Sequence, residues 1–173
     1  MIRFATAADL DGIEAIYDAI LTREEAGPVY TNWQRGKYPT RAHAQQALDA
    51  GTLYVGEDED GTIWGSMNLN AIQLPEYVKI DWSIPATDDQ VAVIHTLTID
   101  PARKGHGLGR KMVAFAEDTA RAQGKTVMRF DTWEGNKPAN HLYPAMDYRY
   151  AGSTGFFFMG YTHSTLNLYE KKL

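Results

Sequence analysis

In Lys104-Gly105-His106-Gly107-Leu108-Gly109, glycine falls at every second position. The segment follows an apolar, β-branched run, Val91–Ile99, and leads into an amphipathic stretch that begins near Leu108. Lacking a Cβ, glycine lets the backbone approach a ligand closely and aim several N–H groups the same way. The helix N-terminus behind the loop adds a partial positive charge. The chemistry this offers is the holding of a pyrophosphate; the alternative is a plain glycine-rich turn between strand and helix. Arg103, Lys104, Arg110 and Lys111 form a basic patch with no acid between them. Beside such a loop the patch suits a polyanion, and elsewhere it would be a solvated face.

Three phosphate-loop patterns compete. A nucleoside-triphosphate loop needs G-x-x-x-x-G-K-[ST], and no Lys-Ser or Lys-Thr follows these glycines. A dinucleotide fingerprint needs G-x-G-x-x-G, whereas the spacing here is G-x-G-x-G. Asp131 does close the next apolar strand, about where a ribose-binding acid falls. The residues before the loop, however, do not alternate strand and helix as a doubly wound sheet requires.

The third pattern covers more of the chain. The loop resembles the R/Q-x-x-G-x-G/A signature of the GNAT superfamily, the acyl-CoA-dependent N-acetyltransferases. Lys104 stands where arginine or glutamine is usual; it keeps the charge but loses the planar fork, which Arg103 could supply instead. Downstream, Asn136-Lys137-Pro138-Ala139-Asn140-His141-Leu142-Tyr143-Pro144-Ala145-Met146-Asp147-Tyr148 is similar to the family's N-x-x-A-x-x-L-Y-x-x-x-G-F segment. Asp147 replaces the glycine and Tyr148 the phenylalanine. Aspartate tolerates a left-handed turn less well than glycine, and Pro144 ends or kinks the short helix just after Tyr143.

The elements that must position these residues follow from periodicity and turn signals. Ile2–Ala5 reads as a strand, and Thr6 caps a helix with Ile13, Ile16, Tyr17 and Ile20 on one face. Thr40 opens a second helix, Arg41–Ala50, which Gly51 stops. Thr52–Glu57 and Thr62–Ile72 form a hairpin around Asp58-Glu59-Asp60-Gly61. An irregular segment, Gln73–Gln90, precedes the strand Val91–Ile99. A helix Leu108–Gln123, a strand Thr126–Thr132, the Asn136 helix and strands near Tyr148–Phe158 and Ser164–Glu170 follow. The order β-α-α-β-β-β-α-β-α-β-β is the family's order, an α/β (α+β) mixed sheet. The resemblance further implies a splayed parallel pair, formed by the strands at Val91 and Thr126. Coenzyme A inserts there, its pantetheine arm pairing with the edge of the first strand.

Acetyl transfer from a thioester to an amine needs a neutral amine, a donor for the developing oxyanion and a proton for the departing thiolate. At pH 7 an alkylamine with pKa near 10.4 is neutral in only about one molecule in a few thousand. With no cysteine in the chain, an acetyl-cysteine intermediate is excluded and direct attack in a ternary complex remains. By resemblance, Tyr143 is the acid for the thiolate, the backbone N–H of Leu97 is the oxyanion donor and His95 occupies the base position. Tyr143 and His95 each have a bland counterpart: a packed tyrosine and a satisfied strand histidine. Glu76 and Asp81 are reserve bases.

The implied acetyl-CoA contacts are Leu97, Thr98, Ile99, Arg103, Lys104, Gly105, His106, Gly107, Leu108, Gly109, Arg110, Asn136 and Tyr143. Asn136 is equally well placed as a helix N-cap. Asp131, Trp133 and Glu134 lie at the mouth of the implied gap. The implied acceptor face comprises Tyr30, Trp33, Tyr38, Glu76, Tyr77, Asp81 and Trp82, whose aromatics and carboxylates suit a cationic amine. His141 and His163 lack metal-type partners, so no metal site is expected.

The 173 residues, 44% hydrophobic and 23% charged, suit a single domain spanning 1–173. The net charge of −5 argues against a nucleic-acid partner. No long apolar run or leader is evident, which points to the cytoplasm and away from a membrane. Gly155–Gly160 is apolar enough for a homodimer interface and equally for buried core. The expected function is acetyl transfer to a primary amine of a small molecule or peptide. The competing reading is a regulatory module that binds acyl-CoA without turnover.

Overall fold

The computed structural model describes residues 1–158, 160 and 162–173, with the side chain of Phe158 outside that description. Seven strands form a mixed sheet: β1 (Ile2–Phe4), β2 (Leu53–Glu57), β3 (Ile63–Asn70), β4 (Val91–Ile99), β5 (Val127–Trp133), β6 (Arg149–Phe158) and β7 (Thr162–Lys172). They are hydrogen-bonded in the order β1-β2-β3-β4-β5-β7-β6. Among the described residues four α-helices accompany them: α1 (Leu10–Glu25), α2 (Arg41–Asp49), α3 (Leu108–Ala122) and α4 (Lys137–Leu142). The parallel pair is β4 with β5, in register at Val91↔Val127, Ala92↔Met128 and Val93↔Arg129.

The chain divides into two compact units. The first comprises Met1–Pro28, Trp33–Asn70 and Ile94–Ala116; the second comprises Val29–Asn32, Ala71–Val93 and Glu117–Leu173. In the first, β1 and β3 flank β2 antiparallel. Helices α1 and α2 cover it through Leu10, Ile13, Tyr17, Ala44 and Ala47, which cluster with Leu53 and Val55. The spacing of Leu10, Ile13 and Tyr17 makes the apolar stripe that drives this docking. A 3-10 turn, Ala7–Asp9, separates the capping residue Thr6 from α1. The helix expected directly after Thr6 therefore begins later, because Asp9 accepts from both the N–H and the hydroxyl of Thr6. Arg3 grips the same carboxyl and holds its pKa down to about 2.

In the second unit, β5 and β6 pair antiparallel with β7. Tyr77, Val91, Val93, Val127, Leu166 and Leu168 form its core. Strand β7 runs two residues beyond the expected Ser164–Glu170 at each end, carried by the long hairpin with β6. Of the apolar run Gly155–Gly160, Phe157 is exposed and Met159 lies outside the described residues.

Pro144 stops α4 as its sequence requires. A 3-10 turn, Pro144–Met146, follows, and Asp147 then takes the left-handed conformation with φ 65°. A residue with a Cβ is strained by about 1 kcal/mol there, so Asp147→Gly is expected to raise the melting temperature by about 2–3 °C. Calorimetry of the pair checks it, and an unchanged or lower value would show that Asp147 contributes something beyond the turn.

Candidate active site

In the first unit, Asp100 ends β4 by accepting from the N–H of Ala102 at 2.9 Å, and a 3-10 turn, Pro101–Arg103, leads into the glycine loop. Gly105 and Gly107 have φ of 91° and 70°, backbone that glycine alone adopts without strain. No atom lies within 4 Å of where either Cβ would sit. Among the described residues, none accepts from the N–H groups of Gly105, His106, Gly107, Leu108 or Gly109. The first bond into α3 is Lys111 N–H to the Gly107 carbonyl, 3.0 Å. A run of N–H donors without acceptors, on open glycine backbone at the head of a 15-residue helix, fits a pyrophosphate. The basic patch is less uniform than its sequence suggests. Arg103 pairs with Asp58, and the Lys111 ammonium lies 5.7 Å from the centre of the Trp64 ring. Lys104 and Arg110 are exposed.

Strand β4 carries an irregularity that its sequence conceals. Thr96 has φ 49°, and its hydroxyl is hydrogen-bonded to that of Tyr38. A β-branched residue in this region is a true outlier. Just before it, the Nε2 of His95 lies 3.2 Å from the Asn70 side-chain oxygen. Donation by Nε2 places the ring's lone pair on Nδ1. The Thr98 side chain is buried on the hydroxyl of Ser66, 2.8 Å away, so only its backbone is placed for a ligand. Gly65 permits this close approach: a Cβ there would sit 2.7 Å from the Thr98 carbonyl oxygen. Trp33 is half-buried, edge-on to Tyr38.

In the second unit, Tyr143 follows α4 and is 7% exposed. Its ring lies against Phe130 at 4.1 Å and Tyr169 at 5.4 Å between centres. The hydroxyl has no hydrogen-bond partner among the described residues. Burial and the nearby charge of Asp131 push its pKa up, so at neutral pH it holds its proton. Asn136 is the helix N-cap, accepting from the Ala139 N–H at 3.1 Å.

The irregular segment before β4 contributes a 3-10 turn, Pro75–Lys79. Tyr77, only 2% exposed, is a core residue whose hydroxyl donates to Asp131 at 2.9 Å. Burial, with the charge of Glu76 adding to it, lifts Asp131 to about 6. One oxygen of Glu76, Oε2, is buried without a partner. Trp82 donates to the Tyr77 carbonyl and lies under the Arg129 guanidinium, 4.3 Å from its carbon. Asp81 is exposed and Tyr30 half-buried.

Of the acceptor candidates, Glu76 and Tyr77 therefore gather around Asp131, whereas Asp81 takes no part in that cluster. The residues around Thr96 give no local sign of its positive φ, since β-branched residues argue against it; a central strand that bulges at Leu97 is what the family resemblance implies. The Tyr77–Asp131 bond joins residues 54 apart, and no motif spans that distance. Among the described residues no group of three or more His, Asp or Glu side chains could hold a metal, and no helix is long and apolar enough to cross a membrane.

Among curated proteins none matches the chain significantly. Solved structures match over nearly its whole length. A Staphylococcus aureus Mu50 protein described as an acetyltransferase is 26% identical, with 99% of this chain and 98% of that one covered and a TM-score of 0.71. A GNAT-family acetyltransferase of Streptococcus agalactiae 2603 shares the fold at a TM-score of 0.80 and 20% identity, covering 100% and 95%. The yncA protein of Salmonella typhimurium, solved with its cofactor acetyl-CoA, gives 0.71 at 21% identity, covering 100% and 93%. The Acetyltransferase (GNAT) family itself matches residues 14–148, from within α1 through the glycine loop to the segment that ends at Tyr148. With its mixed sheet, its glycine loop and that match, the chain belongs to the GNAT acetyltransferase family.

Proposed function

We propose that the chain transfers the acetyl group of acetyl-CoA to a primary amine by direct attack, without an acetyl-enzyme. Acetyl-CoA supplies an acyl thioester whose sulfur becomes the leaving group. The N–H donors of Gly105–Gly109 and the start of α3 hold its pyrophosphate, with Lys104 and Arg110 adding charge and Arg103 available if it leaves Asp58. The contacts of Leu97, Thr98 and Ile99 with the pantetheine arm are through backbone, as the burial of the Thr98 side chain requires. The Leu97 N–H donates to the carbonyl oxygen as it gains charge. His95 accepts the amine proton, and Tyr143 donates one to the departing sulfur. Asn136 shapes the start of α4.

The observation that carries this reading is Tyr143: its ring packs against Phe130, Tyr148 and Tyr169, and its hydroxyl holds its proton at neutral pH and has no hydrogen-bond partner among the described residues. The direct test is thiol release from acetyl-CoA against a panel of amines. Its binding component is checked separately. Saturating acetyl-CoA at about 100 times Kd stabilises by about 2.7 kcal/mol, a rise in melting temperature of about 5–10 °C. Gly107→Val, which strains the loop and places a side chain over the N–H donors, is expected to abolish that rise. An undiminished rise in the variant would remove the loop from the binding site.

A further inference from the structure

We propose that Glu76, Asp131 and the hydroxyls of Tyr77 and Tyr143 form the seat of the acceptor's ammonium group, and that the acceptor is a primary alkylamine with no carboxylate beside its nitrogen. This rests on the acetyl-transfer reading and adds the substrate class to it. All four residues belong to the second unit. Glu76 and Tyr77 come from the Pro75–Lys79 turn, Asp131 from β5 and Tyr143 from the end of α4.

The balance of donors and acceptors identifies the occupant. The Tyr77 proton is already engaged by Asp131 Oδ2. Acceptors left over are Asp131 Oδ1, the buried Oε2 of Glu76 and lone pairs on both tyrosine oxygens. The Tyr143 hydroxyl, on a side chain more than nine-tenths buried, has no partner either. It lies near enough for the Asp131 charge to perturb it. The cluster is thus rich in oxygen, and its two carboxylates outweigh the single charge of Arg129, whose Nε is a buried donor without a partner. An ammonium brings three N–H donors and a second positive charge. A carboxylate α to the amine would meet the half-buried Glu76 and Asp131 as a like charge.

The experiment uses the full chain with acetyl-CoA and compares n-butylamine and 1,4-diaminobutane with glycine and alanine. The alkylamines are expected to exceed the amino acids in kcat/KM by at least about 100-fold, about 2.7 kcal/mol at tenfold per 1.36 kcal/mol. In Asp131→Asn, which still accepts from Tyr77, the KM for n-butylamine is expected to rise at least tenfold with acetyl-CoA affinity unchanged. Glu76→Gln should do the same to a smaller extent. Binding of 1,4-diaminobutane, followed by thermal shift with and without CoA, should weaken as pH falls through about 6. Asp131 takes up a proton there, facing Glu76 and Tyr77 from the turn, Tyr143 from α4 and Arg129 from its own strand. Equal use of amino acids, or an unchanged KM in both variants, would overturn the proposal while leaving acetyl transfer intact. Diamine binding that is lost in Asp131→Asn, in a protein that turns over no amine, would uphold the seat and overturn the transferase reading.

Discussion

Tyr143→Phe is expected to lower kcat by about 100-fold or more, the usual contribution of a positioned general acid, while acetyl-CoA still binds. The ring keeps its contacts with Phe130 and Tyr169, so the packing that shapes the end of α4 survives. Only an O–H is lost, and it makes no hydrogen bond among the described residues. The hydroxyl has no protein hydrogen bond to lose and is not among the buried polar atoms left without a partner, so the melting temperature should stay about level. The pair of readouts is what makes the prediction sharp. Thiol-release kinetics and calorimetry on the same preparations measure both. A near-normal kcat would remove Tyr143 from the chemistry, whereas loss of activity together with a marked fall in stability would make it a structural residue.

The largest effect on stability is expected from Glu170→Ala. Glu170 is fully buried, bound twice by the Arg149 guanidinium, and its two oxygens accept from the N–H groups of Ser83 (2.9 Å) and Ile84 (3.3 Å). Arg149 is nearly half exposed and regains water, so the cost falls on the two N–H groups left without an acceptor, about 1–3 kcal/mol each, for a chain of this size a fall of roughly 10 °C in melting temperature. Two backbone donors and one guanidinium lose their acceptor at once. Glu170→Gln, which keeps an oxygen in place, should lose less. Ser83 and Ile84 lie in the segment that also carries Glu76 and Tyr77, and Arg129 holds the Ile84 carbonyl from the other side. Loosening this anchor should therefore also raise the KM for the amine. Thermal melts and steady-state kinetics at a temperature where the variant is folded separate the two effects; a shift under about 2 °C would mean the cluster is replaceable by water.

Much of this architecture was legible in the residues. Strand β4 has the very limits its β-branched run and Asp100-Pro101 prescribe, because both apolarity and its terminator are local signals. Helix α3 begins at Leu108 for the same reason, and Gly124, with φ 77°, stands just past its end. Thr40 and Gly51 bracket α2 as cap and stop. What the sequence could not give was set by contacts distant along the chain. Gln73–Gln90 has no periodicity because it is ordered by Glu170 and Arg129 rather than by its own ladder. Tyr77 reads as one of the aromatics of the acceptor face, yet its ring is core and only its hydroxyl reaches the polar cluster. Asp131 was legible as a strand-end acid, whereas its partnership with Tyr77 needed the folded chain. Arg103 reads as part of a free basic patch until Asp58 is brought to it.

The left-handed Thr96 also acts as a counting device. In a regular strand every residue changes face, and a shift of one position reverses all that follow. Beyond Thr96, Thr98 turns its hydroxyl to Ser66 and its carbonyl to Gly65. Deleting Thr96 would leave an unstrained strand with everything after it facing the wrong way, including the approach to the glycine loop. Over evolutionary time this makes β4 far less forgiving of a lost or gained residue than of a substitution. Drift in such a chain should be recorded as replacements within a fixed length between Val91 and Gly109, and as changes of length elsewhere.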